Sequence, residues 1–235
     1  MPDESSAAAE PQFGVLIRRT LIYLAVCGLA VVLCYYFIDR PVAFFVHDHR
    51  IARFEEFRWL TEPPPLVQGW SPLVLMLLAI RRAFGPWQRW QRALFVACVS
   101  LIVADQFRQS LGDLCGRDWP ETWHDNNPSL IGTGSYGFHP FAVGDDTGSF
   151  PSGHATRIAG FFSVFWIATP RSRWLYAILA APMLIALVAM NYHFVSDVIA
   201  GSVLGALVGC WSAQFAPIAG PPRGPQLLNA PITAP

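Results

Sequence analysis

Six apolar runs, separated by polar segments of very unequal length, organise this 235-residue chain. They cover 21–38, roughly 66–80, 93–104, about 155–168, 174–190 and about 194–215. A helix needs about 20 apolar residues to cross a hydrocarbon layer, and shorter runs suit a compact bundle whose helices continue into polar sequence. The pattern predicts an all-α, integral-membrane six-helix bundle over residues 15–218. In the last run Gly201, Gly205 and Gly209 recur every four residues, which places three small residues on one helical face for close packing. The stretch 1–14 is acidic and small and lacks the basic n-region of a signal peptide, so a disordered tail is expected there. The Pro-rich stretch 219–235 reads as a second tail.

Composition agrees with the bundle: 53% of residues are hydrophobic and 14% charged, with a mean hydropathy of +0.37. A formal net charge of zero offers no basic face for nucleic acid. All 16 basic residues are arginine, so any anion site must be built without lysine. Of the five cysteines, Cys27, Cys34, Cys98 and Cys210 sit in apolar runs, where cysteine behaves as a small hydrophobe, and Cys115 is expected unpaired. Neither a disulfide framework nor a metal spacing is present.

Arginine placement suggests an orientation. Arg18 and Arg19 precede the first run; Arg81, Arg82, Arg89 and Arg92 follow the second; Arg171 and Arg173 follow the fourth. The positive-inside rule makes these ends and both termini cytoplasmic. The segments 39–65, 105–154 and 191–193 then lie outside, on the periplasmic or extracellular face of a cell (inner) membrane. "FFVHDHRIARFEEFRWL" mixes aromatic and charged residues at helical spacing, as expected of a helix in the interface. A surface connector and a lipid-access role both fit it.

Two histidines fall on that outer side. "SFPSGHATR" puts His154 at the mouth of the fourth run, where Pro151 and Gly153 shape a turn and Ser152 supplies a hydroxyl. The N-terminus of the following helix is an anion site through its free N–H groups and dipole, and a histidine there can protonate a leaving oxygen. "NYHFVSD" puts His193 one helical turn before Asp197. A carboxylate on one ring nitrogen sets the tautomer and leaves the other nitrogen nucleophilic. A nucleophilic histidine and an acidic one together suit phosphoryl transfer through a phosphohistidine.

"GRDWPETW", "SFPSGH" and "NYHFVSDVIAG" resemble segments of the type 2 phosphatidic acid phosphatase superfamily, which also contains the vanadium haloperoxidases. The resemblance covers about 66–215. It implies a six-helix membrane enzyme that removes phosphate from lipid phosphates on the outer face, without metal or other cofactor. It also implies roles: His193 as nucleophile, Asp197 as its orienter, His154 as the acid, and Ser152 and Gly153 as phosphate ligands.

This chain departs from the family pattern at every basic clamp. The Ser-Arg pair of the third motif falls on Ala186 and Leu187. With the first motif anchored on Pro120, its arginine position is Trp119 and its lysine position Gly112. Positioned cations supply much of the stabilisation in phosphoryl transfer, so replacements are required. Arg157 lies one turn after His154, where snorkelling and ligand binding are both open. Arg108 lies one turn before Gly112, and Arg117 precedes "DWPETW". Arg108, Arg117 and Arg157 are the expected phosphate-binding set.

The loop between the third and fourth runs is glycine- and aromatic-rich. Trp119, Trp123, Tyr136, Phe138 and Phe141 are expected to reach the headgroup region, while His124 and His139 have no motif partner. Asp145 and Asp146 lack a full ligand set, so no metal site is expected. The leading reading is a metal-independent membrane phosphatase acting on a lipid phosphate monoester or pyrophosphate. A lipid phosphotransferase and a non-catalytic lipid-phosphate-binding or scaffold protein are the alternatives.

Overall fold

The computed structural model describes residues 4–123, 126–141 and 148–215, and these are helical apart from loops and two isolated β-bridges. Eight α-helices follow in order. They are α1 (Glu4–Phe37), α2 (Asp39–Asp48), α3 (Glu55–Thr61), α4 (Pro63–Ala83), α5 (Arg89–Cys115), α6 (Gly153–Ala168), α7 (Arg173–Ala189) and α8 (Val195–Phe215). Helix α1 begins at Glu4, inside the stretch expected as a disordered tail, because the apolar run that starts near Phe13 is preceded by alanines with high helix propensity. The expected tail 219–235 lies outside the described residues.

Five stretches among the described residues are long and apolar enough to cross a membrane: Phe13–Phe37, Glu55–Ala83, Arg89–Cys115, Pro170–Ala189 and Val195–Gln214. The count is five where the sequence suggests six. The difference is α6, whose 16 residues reach about 24 Å at 1.5 Å per residue, short of the ~30 Å hydrocarbon layer. Its apolar surface is spent on protein rather than lipid. Ala155, Ile158 and Val164 are buried, and α6 packs most closely against α8 and α5.

The glycine face of α8 is what lets α6 sit so close. A Cβ on Gly205 would fall 2.2 Å from the Thr156 carbonyl oxygen, and one on Gly201 would fall 2.4 Å from that of Ser152. Helix α5 runs eleven residues beyond the expected end at 104, because its polar residues Asp105, Arg108 and Gln109 find partners at the bundle end and need no solvent.

The interfacial segment folds as two helices. Arg50, in the left-handed region at φ 52°, breaks the chain between α2 and α3. Helix α2 buries Asp39, Ala43 and Val46 while Phe44 and Phe45 stay exposed. Hydrogen bonds gather the C-terminal end of α5, the N-terminal ends of α6 and α8, and the start of α2 at one end of the bundle.

Candidate active site

A cavity of about 370 Å³ opens at that end. His154 and His193 both line it, with ring centroids 6.1 Å apart. His154 stands in the first turn of α6, just after the flanking Ser152. The Ser152 hydroxyl accepts from the Ala155 N–H (3.3 Å) and is fully buried, and Ser152 does not line the cavity. It is therefore a helix N-cap. The hydroxyl expected to touch phosphate is thus engaged at the helix end, with its own O–H still available to donate.

His193 sits in the turn between α7 and α8. Asn191 takes the left-handed conformation there (φ 52°), and its amide donates to the Ala43 carbonyl of α2. The His193 Nδ1 lies 3.0 Å from the Ser149 carbonyl oxygen. A carbonyl only accepts, so Nδ1 carries the proton and Nε2 the lone pair. The Asp197 carboxylate stands 3.8 Å from Nδ1. One Asp197 oxygen accepts from the Phe194 N–H at 2.8 Å, and the other is held by Arg117. Asp197 thus acts on the imidazole by charge, while the hydrogen bond that sets the tautomer comes from Ser149, which sequence reading missed. A main-chain acceptor leaves no trace in residue type.

The three candidate arginines divide. Arg108 and Arg157 line the cavity beside Gly153. The Arg108 Nε donates to the Pro151 carbonyl (3.1 Å) and its Nη2 to that of Gly148 (3.0 Å). The Arg157 Nη2 lies 2.9 Å from Asp105, a fully buried carboxylate that also accepts from Gln68 (2.7 Å) and Gln109 (3.0 Å). Both guanidiniums are aimed by fixed partners instead of snorkelling outward. A Cβ on Gly153 would meet Arg108 at 3.2 Å and Arg157 at 3.5 Å, so the bare glycine makes room for both cations at the N-terminus of α6. Asp105 carried no motif signal, and only the fold shows what it holds.

Arg117 is not in the cavity. It is 0% exposed and binds Asp197, Ser196 and Asp39. Burial alone lowers its basicity, but Asp197 and Asp39 hold the guanidinium above its ordinary range. The expectation that Arg117 grips phosphate is corrected: with both carboxylates on it, its charge is spent inside the protein.

Burial, His193, Arg157 and Arg108 push the His154 imidazole down to about 3. At neutral pH, His154 is therefore a neutral imidazole beside two cations.

The aromatic loop is split between two tasks. Trp119 and Trp123 line the cavity, Trp119 with its ring 5.4 Å from that of His193. Tyr136 and Phe138 pack around Arg117, and Phe141 is exposed. His139 pairs with the buried Asp118 at 3.0 Å, away from the cavity. His124, Asp145 and Asp146 lie outside the described residues. Among the described residues no group of three His, Cys, Asp or Glu side chains forms a metal-ligand set.

The chain has relatives. The family model described as PAP2 superfamily matches residues 93–220. The lipid A 1-phosphatase of Rhizobium johnstonii is 30% identical over 160 residues, 66% of this chain and 61% of that protein. The lipid A 1-phosphatase of Rhizobium etli is 30% identical over 171 residues, 71% and 69% of the two chains. A crystal structure of a PAP2-type phosphatidylglycerolphosphate phosphatase from Bacillus subtilis aligns over 85% of this chain and 94% of its own, with a TM-score of 0.44 and 17% identity. The matched region runs through both histidine segments and more than half of the sequence, and the chain belongs to the PAP2 superfamily.

Proposed function

We propose that this protein is a membrane phosphatase that hydrolyses a lipid phosphate monoester or pyrophosphate through a phosphohistidine, without a metal ion. The observation that carries the reading is the convergence of His193, His154, Arg108 and Arg157 on one cavity at the bundle end. The names of the two Rhizobium relatives add a substrate candidate, the 1-phosphate of a lipid A-type glycolipid.

The proposed steps use the residues gathered at this cavity. Arg108 and Arg157 hold the phosphoryl oxygens beside the α6 N-terminus, where the Gly153 backbone adds to the positive field. The His193 Nε2 lone pair attacks phosphorus; the bond from phosphorus to the lipid oxygen breaks, and His154 gives that oxygen its proton. Asp197 balances the positive charge on the phosphorylated ring. Neutral His154 then takes a proton from water, whose oxygen displaces the Nε2 of His193 and releases inorganic phosphate. Entry of a phosphate dianion is what makes His154 an acid, since its negative charge offsets the two arginines that keep the ring neutral. The arginine-rich flanks put the cavity on the outer face, with both termini inside.

The test is phosphate release by purified protein in detergent from lipid A 1-phosphate, phosphatidic acid, phosphatidylglycerophosphate and undecaprenyl pyrophosphate, with His193→Ala in parallel. Release from at least one lipid that disappears in the variant supports the proposal. No release from any of them overturns it.

A further inference from the structure

The proposed mechanism leaves the buried Asp39 and Arg117 unused. Asp39, at the start of α2, is 1% exposed and lies outside the residues matched by the family model. Its carboxylate accepts from Arg117 (2.8 Å), from the Ser196 N–H (3.0 Å) and from the Ser196 hydroxyl. Arg117 reaches past it to Asp197, so two carboxylates share one guanidinium. The Phe194, Phe138 and Tyr35 rings lie 4.4, 4.9 and 5.5 Å from that guanidinium and keep water away. Charges in such a place are little screened.

Arg117 by itself would neutralise Asp197, the carboxylate that faces His193. Asp39 supplies the second negative charge. The trio of Asp39, Arg117 and Asp197 carries one net negative charge behind the imidazole, and the planar fork of Arg117 takes one Asp197 oxygen while the other, which accepts from the Phe194 N–H, faces His193. Fixing the fork needs partners on both sides, which α2 provides.

We propose that Asp39 is a positioning residue for His193: acting through Arg117, it aims Asp197 and maintains the negative charge that supports a cationic or phosphorylated ring. This rests on the phosphatase reading for its purpose, but not for its geometry. Among the described residues, the other charged or titratable groups that line the cavity with His193 are His154 and Arg157 from α6, Arg108 from α5, the neighbouring Tyr192 and Glu62 just before α4. None of them changes in the variants below.

The test reads sign. The full chain, labelled in its histidine rings, is titrated by NMR in detergent micelles, with the His193 signal assigned by its loss in His193→Gln. Net charge behind the ring is −1 in the wild type, 0 in Asp39→Asn, −2 in Arg117→Gln and −1 in the double variant. The His193 midpoint is expected to move to lower pH in the first variant and to higher pH in the second, each by on the order of half a pH unit. In the double variant it returns to the wild-type value. Asp39→Asn is also expected to lower kcat for lipid A 1-phosphate about tenfold with KM within about twofold. Shifts of the same sign in both single variants, or no shift, overturn the inference, because a merely structural role has no sign. Where Asp39→Asn accumulates too little folded protein, Arg117→Gln against the double variant makes the same comparison. Midpoints that move as stated, in a protein that releases no phosphate, support the charge relation and overturn the phosphatase reading.

Discussion

The Nδ1 atom of His193 is bound to the carbonyl oxygen of Ser149 at 3.0 Å, while Asp197, in the first turn of α8, stands 3.8 Å from it. The tautomer of the proposed nucleophile is thus set by backbone from the loop that also leads into α6. The carboxylate contributes charge. The same loop delivers His154 five residues later, so one segment orients the proposed nucleophile and carries the proposed acid.

Asp197→Asn is accordingly expected to be less damaging than loss of the nucleophile. The Ser149 carbonyl still presents Nε2 in the reactive form, so kcat should fall about 100-fold, whereas His193→Ala should remove turnover entirely. Steady-state kinetics on whichever lipid phosphate the wild type turns over best compares them. Equal losses in the two variants would show that Asp197 itself holds the tautomer.

Arg108→Ala and Arg157→Ala are each expected to lower kcat/KM by about 100- to 1,000-fold, the usual cost of removing one donor to a developing oxyanion. Asp105→Asn should give a smaller loss, since Arg157 stays in place but is less firmly aimed. The inhibition constant for inorganic phosphate, measured beside turnover, should rise in the two arginine variants. If it is unchanged in Arg157→Ala, that arginine does not touch the phosphate.

The depressed His154 value has a consequence for stability. Its imidazole titrates near 6.5 when unfolded and about 3 when folded, so between those values the unfolded chain binds the proton that the native protein refuses. Stability from this group is fully present above pH 6.5 and is lost as pH falls toward 3. His154→Gln should therefore lose less thermal stability between pH 7 and pH 4 than the wild type does, as read by unfolding in detergent.

Gly205→Val tests the helix contact that seats α6. With the Thr156 carbonyl 2.2 Å from the new Cβ, α6 and α8 must separate, at a cost of about 1–3 kcal/mol for overpacking. A lower unfolding temperature is expected, together with lost activity, because Ser152 N–H donates to the Asp197 carbonyl across this same contact. An unchanged unfolding temperature would mean that the two helices do not meet as described.

The legible part of this protein was local. Apolar runs identify helices because a helix satisfies its own backbone within four residues, and the four-residue glycine repeat marked the face of α8 that meets α6. The place of His154 at the head of α6 and the His193–Asp197 spacing were readable for the same reason: each is fixed within one helical turn. The destination of each arginine was not readable. Arg117 has partners 78 and 80 residues away, and Arg157 pairs with an Asp105 on another helix. A buried cation must find a carboxylate or a ligand, and residue type says only that the need exists. The fold alone decided that Arg108 and Arg157 face the cavity, that Arg117 turns away to two aspartates, and that α6 is enclosed by its neighbours, because each outcome depends on which distant segments share one end of the bundle.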